Sequence, residues 1–244
     1  MPETRSLYLI SYNLFQALGW SLSLFRILSG LLSSQSIHGA YAAAGELICW
    51  LQTLAFLEVI HGAIGDLKNH KFCLFGFRGT EVNFCVYNFW FWMLRNCSEW
   101  RGASSDAMGW RTHFLLAIVR RIQEVQNLPS VFVTFFAWSL SEVIRYSHYV
   151  LNLSGSNPKW ITLIRYTAFI FLYPIGVFPG EMWLMYKALP VIKKKKLYAD
   201  HLPFSYYNFV VLLLFCYPFM WLKLYLHLFK QRRSKLGKSK RKKN

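Results

Sequence analysis

Charged side chains are scarce in this chain, at 16% of 244 residues, and acidic ones are scarcest, with 11 Asp and Glu against 28 Lys and Arg. Hydrophobic residues make up 55% and aromatics 18%. A soluble domain of this length has too little interior to hide so much apolar surface. Lipid accepts an apolar helix face, so the composition points to a membrane protein. The 7 histidines form no HxxxH or HxxHH box, which argues against the clustered imidazoles of di-iron desaturases and hydroxylases. There is no phosphate-binding glycine loop and no dinucleotide fingerprint after a strand, so nothing recommends nucleotide or NADPH chemistry. The cysteines (Cys49, Cys73, Cys85, Cys97 and Cys216) make no CxxC pair and sit mostly in apolar stretches, where they read as small buried hydrophobes. The start of the chain lacks a basic region followed by a short apolar core and a small-residue cleavage site, so its first apolar segment is expected to be a retained helix. Without internal repeats or long Pro- or Gly-rich linkers, the chain reads as one membrane domain, residues 1–229, followed by a basic tail, 230–244.

A net charge of +17 first suggests a nucleic-acid partner, but the distribution argues against one. Nine of the basic residues lie in Lys230–Asn244, and four more form the run Lys193–Lys196. Both groups flank apolar segments, where basic residues set topology and meet the anionic headgroups of membrane lipids.

A membrane-spanning helix needs about 20 mostly apolar residues. Leu7–Leu32, Tyr41–Ile64, Val131–Leu151, Trp160–Phe178 and Tyr207–Phe229 meet that length or approach it. Thr112–Gln126 is a weaker sixth, closed by Pro129. The fold expected is an all-α bundle of about six transmembrane helices. The stretch Phe72–Gly109 is atypical: its apolar run Val82–Leu94 is too short to span and reads as interfacial or re-entrant. The basic tail should be cytosolic. Six passes then place Lys193–Lys196 on the lumenal side, against the positive-inside expectation. The chain ends Lys240-Arg241-Lys242-Lys243-Asn244, and Lys240 and Lys242 fit a dilysine retrieval signal of endoplasmic reticulum membrane proteins. Asn96-Cys97-Ser98 and Asn152-Leu153-Ser154 are glycosylation sequons, meaningful only where lumenal.

Ionisable side chains inside apolar spans are costly and mark functional candidates. Glu142, Arg145, Tyr146 and Tyr149 fall on one helical face. Arg165, Tyr166 and Tyr173 follow in the next span, then Glu181 beyond Pro174, Gly176, Pro179 and Gly180. Two readings are open for Glu142 and Arg145: a structural pair that holds helices together, or part of a site. A carboxylate at Glu181, beside a Gly/Pro break at the edge of a span, has no evident packing purpose.

Trp138-Ser139-Leu140-Ser141-Glu142-Val143-Ile144-Arg145-Tyr146, then Arg165-Tyr166-Thr167, then Leu172-Tyr173-Pro174-Ile175-Gly176-Val177 with Glu181, resemble the core motifs of the 3-hydroxyacyl-CoA dehydratase family, called PASTICCINO-type in plants. Leu57-Glu58-Val59-Ile60-His61 with Gly65 resembles the family's second-helix motif. The resemblance covers residues 7–70 and 108–229. It implies a six-helix endoplasmic reticulum enzyme that removes water from (3R)-3-hydroxyacyl-CoA to give trans-2-enoyl-CoA, the third step of very-long-chain fatty acid elongation. It implies no metal or redox cofactor, and the other elongase-cycle enzymes as partners. By match to the motif Tyr-Pro-x-Gly-x-x-x-Glu, the catalytic pair is Tyr173 and Glu181, with Glu142, Arg145, Tyr146, Arg165 and Tyr166 as a supporting network. The spacing differs from the family's by one residue, eight instead of seven. On an unbroken α-helix, eight residues miss a common face by about 80°, so a bulge or break is expected within Val177-Phe178-Pro179-Gly180.

Dehydration needs a base for the α-proton and an acid for the departing hydroxide. The two roles can fall to Glu181 and Tyr173 in either order. A member that has lost catalysis and binds elongase components is the alternative. His61-Gly62-Ala63-Ile64-Gly65-Asp66 matches the short HxxxxD acyltransferase pattern, but no glycerol-phosphate motif accompanies it. The paired inverted halves of a transporter are not visible.

Overall fold

The computed structural model describes residues 3–66, 109–156, 158–199 and 204–241, with no strand among them. The atypical stretch, apart from Gly109, lies outside the described residues, as do the Asn96 sequon and Lys242. The helices are α1 (Glu3–Ser34), α2 (Ala40–Asp66), α3 (Gln123–Gln126), α4 (Pro129–Leu153), α5 (Lys159–Ile175), α6 (Trp183–Lys195) and α7 (Tyr206–Arg241). Two π-helical segments join them, Phe114–Val119 and Gly176–Met182. The second welds α5 to α6 without a break, so Lys159–Lys195 is one rod of 37 residues.

Among the described residues, Ser6–Ser34, Lys159–Lys195 and Tyr206–Ser234 are long and apolar enough to cross a membrane. The chain is an all-α membrane protein. α2 and α4, with 27 and 25 residues, have the length to cross but carry charge. The expected sixth span, Thr112–Gln126, is corrected by the structure. Its helix ends at Val119, Ile122 turns extended (φ −110, ψ 94), and only the four residues of α3 follow. Arg120 and Arg121 explain the exit from the apolar layer: Arg120 Nη2 reaches Glu46 Oε2 at 3.0 Å, outside the core. Gln126 closes the break, donating from Nε2 to the carbonyls of Val119 and Arg120 at 3.0 and 3.2 Å. α4 starts sharply because Pro129 suits the first helical turn and holds Leu128 extended (φ −77, ψ 145).

α1 and α2 run antiparallel. Tyr12 Oη donates to the Leu54 carbonyl at 3.2 Å and Gln16 Nε2 to that of Leu51 at 3.4 Å. α1 also lies along α4, with the rings of Tyr12 and Tyr146 edge to face at 6.5 Å. The α5–α6 rod and α7 form a second antiparallel pair. Its register is set by Phe178 on Trp221 (4.8 Å), Phe169 on Phe229 (5.2 Å) and the Tyr225 hydroxyl on the Ile170 carbonyl (3.1 Å). Both π-helical glycines face α4. A Cβ on Gly176 would lie 3.4 Å from Ala137 Cβ, and one on Gly180 would lie 2.6 Å from Thr134 Oγ1. α4 is thus the hub, with α1 along one side and the rod along the other.

Candidate functional site

The polar face of α4 survives in the structure, and it is an ion network. The buried Glu142 carboxylate is held by Arg111 through Nη1 and by Arg145 Nε at 2.6 Å. Arg145 Nη2 donates to Tyr146 Oη at 2.7 Å, and its guanidinium stands over that ring at 4.6 Å. Arg165 crosses from α5 to α4: Nη2 donates to Tyr149 Oη at 3.1 Å and Nη1 to the Arg145 carbonyl at 3.4 Å. A buried carboxylate between two guanidiniums is tolerable only because each charge has a partner.

Glu181 sits on the π-helical turn, 4% exposed. Trp138 Nε1 donates to its Oε1 at 2.8 Å, and the Tyr217 hydroxyl donates to its Oε2. Trp138 also connects the two carboxylates, because the Arg111 guanidinium that binds Glu142 lies 4.1 Å above its ring. The expected irregularity between Tyr173 and Glu181 is therefore a π-helical bulge within a continuous rod. Pro179 has no N–H to give the Ile175 carbonyl, and the i→i+5 turn takes up about one extra residue. The Tyr173 ring meets Phe169 at 6.5 Å, and no hydrogen bond engages its hydroxyl among the described residues.

Tyr173 and Glu181 line one cavity of about 740 Å³, whose walls α4, the rod and α7 supply. Glu142, Arg145, Arg165 and Tyr166 line it too. Tyr146 does not: it is fully buried toward α1, on the far edge of the polar face. The side chain of Lys240 is not described, although its backbone continues α7. Three residues that hold the site escaped the motif reading. Trp138 stood inside the quoted motif but carried no role. Tyr217 is one of 14 tyrosines, and nothing along the chain marks it as the partner of Glu181. Arg111 stands at the edge of an apolar run, where a lone cation reads as a flank. Its Nε and Nη2 are buried and meet no hydrogen-bond partner among the described residues, while the side chain lines the cavity.

An α-helical membrane protein with a buried carboxylate, a free phenol and an unsatisfied guanidinium around an internal cavity is an architecture suited to proton-transfer chemistry on a membrane-borne substrate. By sequence, the chain belongs to the family described as protein tyrosine phosphatase-like protein, PTPLA, whose model matches residues 107–238. It is 31% identical over 236 residues to very-long-chain (3R)-3-hydroxyacyl-CoA dehydratase 2 of Homo sapiens, covering 94% of this chain and 81% of that one. It is 28% identical to very-long-chain (3R)-3-hydroxyacyl-CoA dehydratase 1 of Mus musculus, over 94% of this chain and 73% of the relative. With the dehydratase PASTICCINO 2 of Arabidopsis thaliana it shares 26% over 248 residues, 99% of this chain and 98% of the other. No solved structure matches.

Proposed function

We propose that this protein is a very-long-chain (3R)-3-hydroxyacyl-CoA dehydratase, a hydro-lyase of fatty acid elongation, with Tyr173 and Glu181 as its catalytic pair. The observation that carries the assignment is their meeting on one cavity, the phenol free and the carboxylate held from both sides. Each Glu181 oxygen accepts one hydrogen bond and keeps a further lone pair. Glu181 then takes the proton from C2 of the substrate, the C2–C3 double bond forms, and the C3–O bond breaks. Tyr173 gives its proton to the departing oxygen, which leaves as water. Arg111 supplies the donors for the thioester oxygen, where negative charge gathers as C2 loses its proton. Trp138 and Tyr217 fix the carboxylate, and Glu142 fixes Arg111.

The setting proposed is the endoplasmic reticulum membrane, with the basic tail in the cytosol and the other elongase-cycle enzymes as partners. In that orientation the end of the cavity lined by His227 and Gln231, which lies at the tail end of α7, faces the compartment that holds CoA thioesters. The extra residue that would favour a catalytically lost relative is accommodated by the π-helical turn.

The test is dehydration of a long-chain (3R)-3-hydroxyacyl-CoA by the full chain in nanodiscs, with Tyr173→Phe and Glu181→Gln compared. Each substitution is expected to lower turnover by at least about a hundredfold. Near wild-type turnover by either variant sinks the catalytic assignment. Absence of turnover in the wild type, with stable binding of an elongase enzyme, favours the scaffold reading.

A further inference from the structure

One face of α7 runs the length of the cavity, and its chemistry changes along the way. At the inner end Tyr217 holds Glu181. Met220, Trp221 and Leu224 follow as an apolar wall. Then come Lys223, His227 and Gln231, which line the same cavity, with the exposed Lys230 one turn beyond His227. Gln231 Nε2 and His227 Nε2 lie 2.9 Å apart. Lys223 and His227 precede the end of the apolar run at Phe229, so both are ionisable groups within a span, and both line the cavity. A lysine stem at Lys223 can follow the apolar wall while its ammonium reaches outward.

The opposite wall is cationic at the same level. Phe169 of α5 packs on Phe229 and the Tyr225 hydroxyl caps the Ile170 carbonyl, so Arg165, one turn before Phe169, stands level with Gln231. That end therefore brings together four basic side chains, Lys223, His227, Arg165 and the rim's Lys230, with the Gln231 amide, and no Asp or Glu is among the residues lining it.

Length decides what this rim fits. From Tyr217 to His227 is ten residues and to Gln231 fourteen, which at about 1.5 Å per residue places the polar rung about 15–21 Å from the Glu181 carboxylate. A pantetheine arm has about thirteen bonds between sulfur and the first phosphorus, and at about 3.5 Å per three bonds it extends about 15 Å. A CoA thioester with its C2 at Glu181 thus sets its diphosphate at the rung of His227 and Gln231.

We infer that Lys223, His227 and Gln231, with Lys230 at the rim and Arg165 opposite, form the seat for the phosphorylated end of the CoA substrate. This deepens the dehydratase reading and rests on it. The shared chemistry is phosphate recognition, which an anionic lipid headgroup could also supply, and the experiment separates the two. Full-length wild type, Lys223→Glu, His227→Glu and the double variant are placed in phosphatidylcholine nanodiscs, where anionic headgroups are absent. Two substrates of one chain length are compared, the (3R)-3-hydroxyacyl-CoA and its N-acetylcysteamine thioester, which lacks every phosphate. The expected result is a fall of at least tenfold in the ratio of kcat/KM for the CoA substrate over the truncated one, expressed mainly in KM. A purely structural role lowers both values together, and an unchanged ratio overturns the proposal. An effect that emerges only with added phosphatidylserine assigns the seat to a headgroup and also overturns it. Desulfo-CoA binding is measured in parallel, so the seat is judged apart from turnover. Wild-type binding that weakens at least tenfold in the variants upholds it, and binding unchanged or absent throughout rejects it. A wild type that binds desulfo-CoA but dehydrates neither thioester instead refutes the dehydratase reading alone.

Discussion

Gly180→Ala puts the π-helical turn to the test. The added Cβ would lie 2.6 Å from Thr134 Oγ1, where ordinary contacts begin at 3.4 Å, so the two must part by about 0.8 Å. Thr134 is not free to yield: its hydroxyl donates to the Ser130 carbonyl at 2.8 Å and it is fully buried on α4. Overpacking of this kind costs about 1–3 kcal/mol. Alanine's better helix propensity returns about 1 kcal/mol, which leaves a stability loss of about 0–2 kcal/mol. Activity is the more sensitive readout. Glu181, the proposed base, is the next residue, and a displacement near 1 Å at a catalytic group costs about a hundredfold in rate. The expectation is a protein that folds, loses modest thermal stability and dehydrates about ten- to a hundredfold more slowly. Adding Thr134→Ala removes the colliding hydroxyl, so the double variant should recover most of the rate. A Gly180→Ala enzyme at wild-type rate would refute the claim that close approach of the bulge to α4 positions Glu181. So would a double variant no faster than the single.

Tyr217→Phe deletes one donor to Glu181, and loss of a hydrogen bond to a charged group, about 1.5–3 kcal/mol, should appear as a ten- to hundredfold fall in kcat with KM little changed. Glu142→Gln leaves Arg111 and Arg145 without their shared carboxylate, so a drop of about 3–5 kcal/mol in stability is expected, read as a lowered Tm in nanodiscs. Lys195→Met breaks the 2.6 Å pair with Glu124, in which both side chains are about half exposed. Such a pair contributes about 0.2–1 kcal/mol, so its Tm should barely move, and a shift as large as that of Glu142→Gln would contradict this ranking. Asn152, at the tail-side end of α4, should carry no glycan when the full chain is made in microsomes, and a glycan there would invert the proposed orientation.

The long helices were legible because lipid demands apolar runs of one length, and a run such as Tyr207–Phe229 has no other economical use. The α4 face was legible from period alone, since Glu142, Arg145 and Tyr149 return to one side. Tyr146 joins the network on that face through its hydroxyl, which accepts from Arg145, but it does not reach the cavity. Offset four from Glu142 lands it at the edge of the face, and α1 claims that edge through Tyr12. What no pattern encodes is which helix stands opposite. Tyr217 meets Glu181 because α7 packs on the rod, and Arg111, on the turns before Phe114–Val119, meets Glu142 of α4. The break at Ile122 was hidden for a related reason. At the break Arg120 turns to Glu46, 74 residues away in sequence, and Gln126 takes up the carbonyls of Val119 and Arg120.

Charge on both ends of the bundle bears on which way the protein faces. Lys193–Lys196 close the rod at the end opposite the tail, as the pass count requires, and there they find local uses. Lysines in the last turn of α6 complement its C-terminal carbonyls, Lys193 lies 5.6 Å from the Tyr207 ring centre, and Lys195 binds Glu124. The tail has no such partners in its sequence: nine basic residues and not one acid in 230–244. Positive-inside bias counts Lys and Arg near span ends and takes little note of acids. Arg120, Arg121 and the four lysines make six at one face, against nine in the tail at the other. The larger count agrees with the proposed orientation, tail inward, and the cavity end at His227 and Gln231 would go with it, because both residues share the tail's helix. Topology and catalysis are in that sense one constraint. Were the bundle inverted, Glu181 and Tyr173 would still face their cavity, but its entrance would open away from every CoA thioester in the cytosol.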